Sequence, residues 1–123
     1  MTKFWNFTNH PSVKWGEDQT TSAVALGGSI SEAIGGMPMV DPHATSQEVA
    51  ELAAKLAAAT TSDDAAIVQG EASLCWYLTK ALLERGVRVF IATTEREVVE
   101  HVAEDGTTTK TATFKFVKFR SLK

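Results

Sequence analysis

The clearest indication of the fold is a short apolar run that passes through one glycine directly into a helical pattern. It lies in Ala65-Ala-Ile-Val-Gln-Gly-Glu-Ala-Ser-Leu74. Ala65 to Gln69 has the composition of a strand that is buried on both faces. Apolar residues then recur at helical spacing from Leu74 to Leu82, and Gly86 follows as a C-cap. A second apolar run, Val87 to Ala92, begins at once. This order predicts a strand, a crossover helix and a parallel neighbouring strand.

The residues before Ala65 show the same alternation of strand and helix. Lys3 to Phe7 and Ser29 to Ile34 have strand patterns, and a helical segment begins near Glu17 and stops at Gly27. Thr45-Ser-Gln-Glu48 is a capping box that starts a further helix. The whole pattern is βαβαβαβ, which predicts an α/β fold: a Rossmann-like parallel sheet with flanking helices on both faces.

A different pattern follows the last of these strands. Val98 to Ala103 and Thr111 to Phe119 flank Glu104-Asp-Gly-Thr107, where Asp-Gly is a strong signal for a hairpin with a two-residue turn. We therefore expect a C-terminal antiparallel β-hairpin. The phenylalanines of its second strand alternate with lysine and arginine, which a half-buried strand explains more simply than a nucleic-acid platform.

Length and composition limit the classes of protein to consider. The chain has 123 residues, 44% of them hydrophobic and 22% charged, which fits a single globular domain over residues 1–123. The net charge of -3 argues against a protein that coats duplex nucleic acid. The single cysteine cannot form an internal disulfide, and no apolar run has the length of a membrane span or the form of a signal peptide. We therefore expect a cytoplasmic protein that does not associate with membranes.

Three loops are candidates for a binding site. In parallel α/β sheets, ligands bind beyond the carboxyl ends of the strands, where the strand order reverses. This rule selects Thr8 to Ser12, Gln69 to Ser73, and Thr93 to Arg96. If the first strand and the Ala65 strand are neighbours, the first two loops face each other across a crevice.

The first two loops carry different chemistry. Asn9 and His10 supply an amide and an imidazole beside the Thr8 hydroxyl, a set that can position a nucleophile or protonate a leaving oxygen. An ordinary turn is the alternative for a histidine that precedes proline. Backbone N–H groups after Gly70 are suited to an oxyanion at a helix start, although Glu71 and Ser73 serve equally well as caps.

The third loop and the tryptophans complete the candidates. Thr93, Thr94, Glu95 and Arg96 offer hydroxyls, a carboxylate and a guanidinium for phosphates, or form an ordinary strand exit. Trp15 follows the first loop and is the candidate for stacking on a base. Since no cluster has the spacing of metal ligands, we expect chemistry without a metal or other cofactor.

Four stretches together resemble a known group of proteins: Asn6-Phe-Thr-Asn-His-Pro-Ser12, Gln69-Gly-Glu-Ala-Ser-Leu74, Ala92-Thr-Thr-Glu-Arg96 and Phe114-Lys-Phe-Val-Lys-Phe-Arg120. The chain is similar to small stand-alone proteins of type III CRISPR systems that are related to the CARF Rossmann-like domains. The resemblance implies a homodimer that binds a cyclic oligoadenylate. In the ring-nuclease group it also implies metal-free cleavage, in which a ribose 2′-hydroxyl attacks the neighbouring phosphodiester and antiviral signalling is switched off.

The three loops and the resemblance together lead to one hypothesis about particular residues. Gly70, Glu71, Ser73, Thr93 and Thr94 would bind the ligand, and His10, assisted by Asn9, would carry out acid/base chemistry. Many CARF domains carry a glycine-threonine-lysine stretch where this chain has Gly70, and no lysine stands in that loop here. Two alternatives stay open: a non-catalytic module that senses or sequesters the same messenger, and a structural subunit whose C-terminal ribbon binds a partner protein.

Overall fold

The computed structural model describes residues 2–33 and 36–123, which form a five-stranded sheet and three α-helices. The elements, in chain order, are β1 (Lys3–Phe7), α1 (Glu17–Gly27), β2 (Ser29–Glu32), α2 (Ser46–Ala57), β3 (Ala65–Val68), α3 (Ala72–Glu84), β4 (Arg88–Val102) and β5 (Thr108–Ser121). The predicted α/β class with a C-terminal hairpin is confirmed. The end of the second predicted strand, at Ile34, lies outside the described residues.

The sheet has the order β2-β1-β3-β4-β5, in which the first four strands are parallel and β5 is antiparallel to β4. β1 lies between β2 and β3, so the strand order reverses at β1. Phe7 pairs with Val68, and the Gln69 N–H donates to the Phe7 carbonyl at 3.1 Å. The neighbouring strands on which the predicted crevice depends are therefore present, and the loops after β1 and β3 start side by side.

Each face of the sheet carries its own part of the core. α2 and α3 cover one face, where Leu74, Leu78 and Leu82 pack on Trp5 and Phe7. α1 covers the other face in a cluster that contains Phe4, Trp15, Ala23, Ala65 and Ile67. Gly27 permits this close approach, because a Cβ atom there would lie 2.6 Å from the Cβ of Phe4.

Asp64 joins the start of β1 to the loop before β3. Its buried carboxylate accepts hydrogen bonds from the Lys3 N–H at 3.0 Å, the Trp5 indole at 3.0 Å, and the Thr61 N–H at 2.9 Å and hydroxyl at 3.2 Å. Burial by itself raises the pKa of this carboxyl, but the hydrogen bonds outweigh it and hold the pKa below its ordinary value. An ionised Asp64 thus fixes the two central strands at the edge opposite the crevice.

β4 does not end at Ala92, as the sequence predicted, but continues to Val102. Thr93, Thr94, Glu95 and Arg96 therefore form part of a strand and pair with residues of β5, across a bulge between Thr93 and Thr94. The prediction was wrong because it took the loss of apolar residues as the end of the strand. β3 pairs only with Arg88 to Phe90, and β4 is exposed from Thr94 onward, so that part of the strand needs no apolar run.

The hairpin forms where it was predicted, but its loop has three residues rather than two. The Gly106 N–H donates to the Ala103 carbonyl and the Ala103 N–H donates to the Thr107 carbonyl, which leaves Glu104 to Gly106 as the loop. We call the paired segments Thr93 to Val102 and Thr108 to Lys118 the ribbon. Because β4 runs parallel to β1 and β3, the ribbon extends past the carboxyl edge of the sheet. No helix in the described ranges is both long and apolar enough to cross a membrane.

Candidate functional site

The loop after β1 is held by hydrogen bonds to the buried side chain of Asn6, which is 1% exposed. The Asn6 amide donates to the His10 carbonyl at 3.0 Å and to the Glu32 carboxylate at 2.8 Å. The Thr8 hydroxyl donates to the Asn6 carbonyl oxygen at 2.6 Å and accepts from the His10 N–H at 3.1 Å. Thr8 is therefore part of the support, while Asn9 and His10 lie exposed above it.

Two further contacts tie this loop to the body of the protein. The N–H of Ser12 donates to the Glu32 carboxylate at 3.1 Å, and the Ser12 hydroxyl donates to the same oxygen. A short 3-10 helix, Ser12–Lys14, then leads to Trp15, whose indole N–H donates to the His10 carbonyl at 3.1 Å. The backbone of His10 is therefore held by hydrogen bonds to the side chains of Asn6 in β1, of Thr8 and of Trp15 in the core.

Trp15 supports the loop from below and has little surface left for the predicted stacking on a base. Its ring is 8% exposed, meets Phe4 edge-on with centroids 6.3 Å apart, and lies 6.4 Å from Phe119. Sequence reasoning missed the supporting roles of Asn6 and Glu32. The signal for Asn6 was a polar residue within the aromatic strand, and nothing local pointed to Glu32.

The start of α3 is capped by the chain itself. The Glu71 carboxylate accepts from the Ser73 N–H at 3.1 Å, from the Leu74 N–H at 2.9 Å and from the Ser73 hydroxyl. The Ser73 hydroxyl, followed by these two amides, holds the pKa of Glu71 below its usual value. The Glu71 carboxylate therefore already accepts from the amides that were candidates for binding an oxyanion, and the capping alternative is the one observed.

Gly70 lies against the connection between β2 and α2. A Cβ atom at Gly70 would stand 3.7 Å from the methyl group of Met37 and 4.0 Å from the sulfur of Cys75. Met37 itself is buried. Burial, together with the Glu71 charge, raises the pKa of the Cys75 thiol and makes it a poor nucleophile. The Gly70 loop is therefore exposed, rests on Met37 and carries the negative charge of Glu71.

The four residues of the third predicted loop divide between the two faces of β4. Side chains alternate along a strand, so Thr94 and Arg96 lie on the same side as Ala92, which belongs to the cluster under α1. Thr93 and Glu95 lie on the opposite side. The Thr93 hydroxyl is used within the bulge, where it donates to the Lys118 carbonyl at 2.9 Å. These four side chains therefore do not act as one phosphate-binding group.

Two clefts flank the loop after β1 and separate the predicted pair Asn9 and His10. One, of about 520 Å³, lies on the β2 side and includes Asn9, Ser12 and Glu32. The other, of about 560 Å³, lies between the loop and the ribbon. His10 and Lys14 line it on one side, and Phe114, Lys115 and Phe116 line it on the other. Gly70, Glu71 and Ser73 belong to neither cleft.

The second cleft, which we call the His10 cleft, contains the groups that are best suited to a nucleotide. It combines the His10 imidazole, the Lys14 ammonium group and the exposed ring of Phe114 with the carboxylates of Glu17 and Asp18. Over the described part of the chain, no group of three histidine, cysteine or carboxylate side chains is placed to hold a metal ion.

Comparison with known proteins gives a family and no activity. No curated protein and no solved structure matches this chain. A family model does match, over residues 2–120, and this range includes the loop after β1 and the whole ribbon. The chain therefore belongs to the uncharacterized protein MJ1673 family.

Proposed function

We propose that this protein is a ring nuclease, which binds a cyclic oligoadenylate beyond the carboxyl ends of β1 and β3 and cleaves it without a metal. The observation that carries the proposal is the hydrogen-bonded loop at the reversal of strand order, which fixes the backbone of the exposed His10. The resemblance of four stretches to CARF-like proteins supplies the class of ligand. It also supplies the setting, a cytoplasmic homodimer in type III CRISPR antiviral signalling.

The proposed reaction is an internal phosphoryl transfer. The 2′-oxygen of one ribose attacks the adjacent phosphorus and loses its proton, while the bond between phosphorus and the 5′-oxygen breaks and that oxygen gains a proton. The product is a linear oligoadenylate with a cyclic 2′,3′-phosphate and a free 5′-hydroxyl. The proposal gives His10 one of the two proton transfers, because imidazole exchanges protons near neutral pH.

Positioning and charge come from the surroundings of His10. The bonds from Asn6, Thr8 and Trp15 to its backbone remove the freedom of the loop before the ligand binds, which favours alignment of the reacting atoms. Lys14 in the same cleft offers a positive group for the phosphate, which the Gly70 loop lacks, while Glu17 and Asp18 keep the net charge of the cleft from being positive. Asn9 faces the neighbouring cleft, so its proposed part is to orient the ligand rather than to assist the imidazole directly.

Incubation of the purified protein with cyclic tri-, tetra- and hexa-adenylate in EDTA, followed by chromatography of the products, tests the proposal. His10→Ala should lower the cleavage rate by roughly 100-fold or more while the affinity changes little. His43→Ala, an exposed histidine before α2, is the matched control and should cleave normally. Equal loss of affinity and rate would make the loop a binding element only, and unchanged cleavage would remove His10 from the chemistry.

A non-catalytic module that senses or sequesters the same messenger is the second candidate, and Glu71 favours it. Its carboxylate occupies the α3 amides that would otherwise stabilise charge in a transition state. Such a module would retain the intact ligand and gain several kcal/mol of stability at ligand concentrations far above the Kd. A large rise in melting temperature with no product would identify it.

A further inference from the structure

We propose that the His10 cleft receives one nucleobase of an adenine nucleotide and that the base stacks on the ring of Phe114. The inference rests on the proposed function and deepens it by naming the residue that selects an aromatic base. Nothing in the sequence pattern separates this residue from the other phenylalanines of β5.

Phe114 differs from its neighbours in exposure. Phe119 packs on Phe4 with ring centroids 5.0 Å apart, and Phe116 packs on Phe119 at the same distance. Phe114 continues this row along β5 but is 70% exposed. The row anchors the strand in the core and leaves its last ring open at the wall of the cleft. Phenylalanine has few side-chain torsions, so covering this ring with a flat ligand orders less side chain than covering a long flexible residue would.

The remaining groups of the cleft match the other parts of an adenine nucleotide. Lys14 suits a phosphate, and the exposed carboxylates of Glu17 and Asp18 suit the exocyclic amino group of the base. The volume of about 560 Å³ lies in the usual range for small-molecule sites. Because the two carboxylates at least balance the lysine charge, net charge does not attract an anion here. Stacking must therefore supply much of the affinity.

Variants of exposed aromatic residues test this inference by isothermal titration with the cyclic adenylates. Phe114→Leu keeps an apolar side chain and removes the π face, so the Kd should rise by about 5- to 150-fold. Phe114→Tyr should keep the wild-type Kd. Trp76→Leu is the matched control, since Trp76 is 60% exposed on α3, which packs on the opposite face of the sheet. Melting temperatures should stay within about 2 °C of the wild type, because neither ring belongs to the core.

The outcomes separate this inference from the proposed function. If the wild type binds a cyclic adenylate and Phe114→Leu binds it equally well, the stacking site is wrong and the proposed function stands. An equal loss in Trp76→Leu would also overturn the stacking site. If no cyclic adenylate binds, titration continues with adenosine monophosphate and linear oligoadenylate. Binding that depends on Phe114 then supports the stacking site and rejects the proposed function, whereas no binding to any of them rejects both.

Discussion

Replacement of Asn6 by alanine tests whether a buried network holds the loop that carries His10. The substitution removes three hydrogen bonds: two to uncharged groups, and one at 2.8 Å to the Glu32 carboxylate. A neutral hydrogen bond contributes about 1 kcal/mol to stability and one to a charged group about 1.5–3 kcal/mol. The His10 carbonyl also accepts from Trp15, which offsets part of the loss. We therefore expect the free energy of unfolding to fall by about 2–4 kcal/mol.

Thermal unfolding and hydrogen exchange together measure this effect. For 123 residues the unfolding entropy is about 0.26 kcal/mol per degree, so the melting temperature should fall by roughly 8–15 °C. Amide exchange should accelerate in Thr8 to Trp15 well before it does in β3. Asn9→Ala is the matched control for stability, because Asn9 is an exposed asparagine of the same loop. It should shift the melting temperature by no more than about 2 °C.

A melting temperature of Asn6→Ala within 2 °C of the wild type, with unchanged amide exchange in the loop, would show that Asn6 does not hold the loop. Such a result would mean that Thr8 and Trp15 hold His10 without help from Asn6. A large fall in melting temperature with exchange unchanged in the loop would separate stability from positioning. Asn6 would then act on the packing of β1 alone.

Two other substitutions probe the two carboxylates that hold backbone amides. Glu71→Gln should tighten the binding of inorganic phosphate and of the cyclic adenylates, because the Ser73 and Leu74 amides lose a competing negative charge. Unchanged or weaker affinity in calorimetry would contradict the capping of α3 by Glu71 as the obstacle to anion binding. Asp64→Asn should lower the free energy of unfolding by about 2–4 kcal/mol, since the amide cannot accept all the bonds that the carboxylate accepts. The folded pKa of Asp64 lies below its ordinary value of 3.8, so its stabilisation is complete above that pH and is lost as the pH falls through the folded pKa. Urea unfolding should therefore show a constant difference between wild type and variant from pH 7 to about pH 5 and a shrinking one below pH 4.

The order of elements could be predicted because its signals are local. The capping box at Thr45 to Glu48 forms as expected, with each side chain bonded to the other residue's backbone N–H. The position of the hairpin at Asp105-Gly106, the helix that begins at Glu17 and the buried run in β3 also agree with the sequence. Each of these depends on residues within a few positions of one another, so spacing and composition are sufficient.

The site was less predictable because its contacts join distant parts of the chain. Glu32 lies 26 residues from Asn6, and no spacing rule links the amide of one to the carboxylate of the other. Trp15 follows a loop and therefore suggested an exposed ring, but the short helix before it turns the indole into the cluster around Phe4. The self-capping of α3 by Glu71 was one of two alternatives in the sequence. Only coordinates distinguish a carboxylate that caps from amides left free for a ligand.

The ribbon adds a wall to the crevice that the three loops chosen from the sequence do not include. β4 has 15 residues and β3 has four, which at about 3.3 Å per residue makes β4 roughly 36 Å longer. The two strands are parallel and in register at Arg88 to Phe90. The extra length of β4 therefore extends beyond the edge of the sheet at which β1 and β3 end and the loops after them begin. A ligand at the reversal of strand order therefore meets a two-stranded wall as well as loops. The residues of that wall come from the C-terminal strand, whose phenylalanines and lysines had seemed to belong to the core and its solvated face.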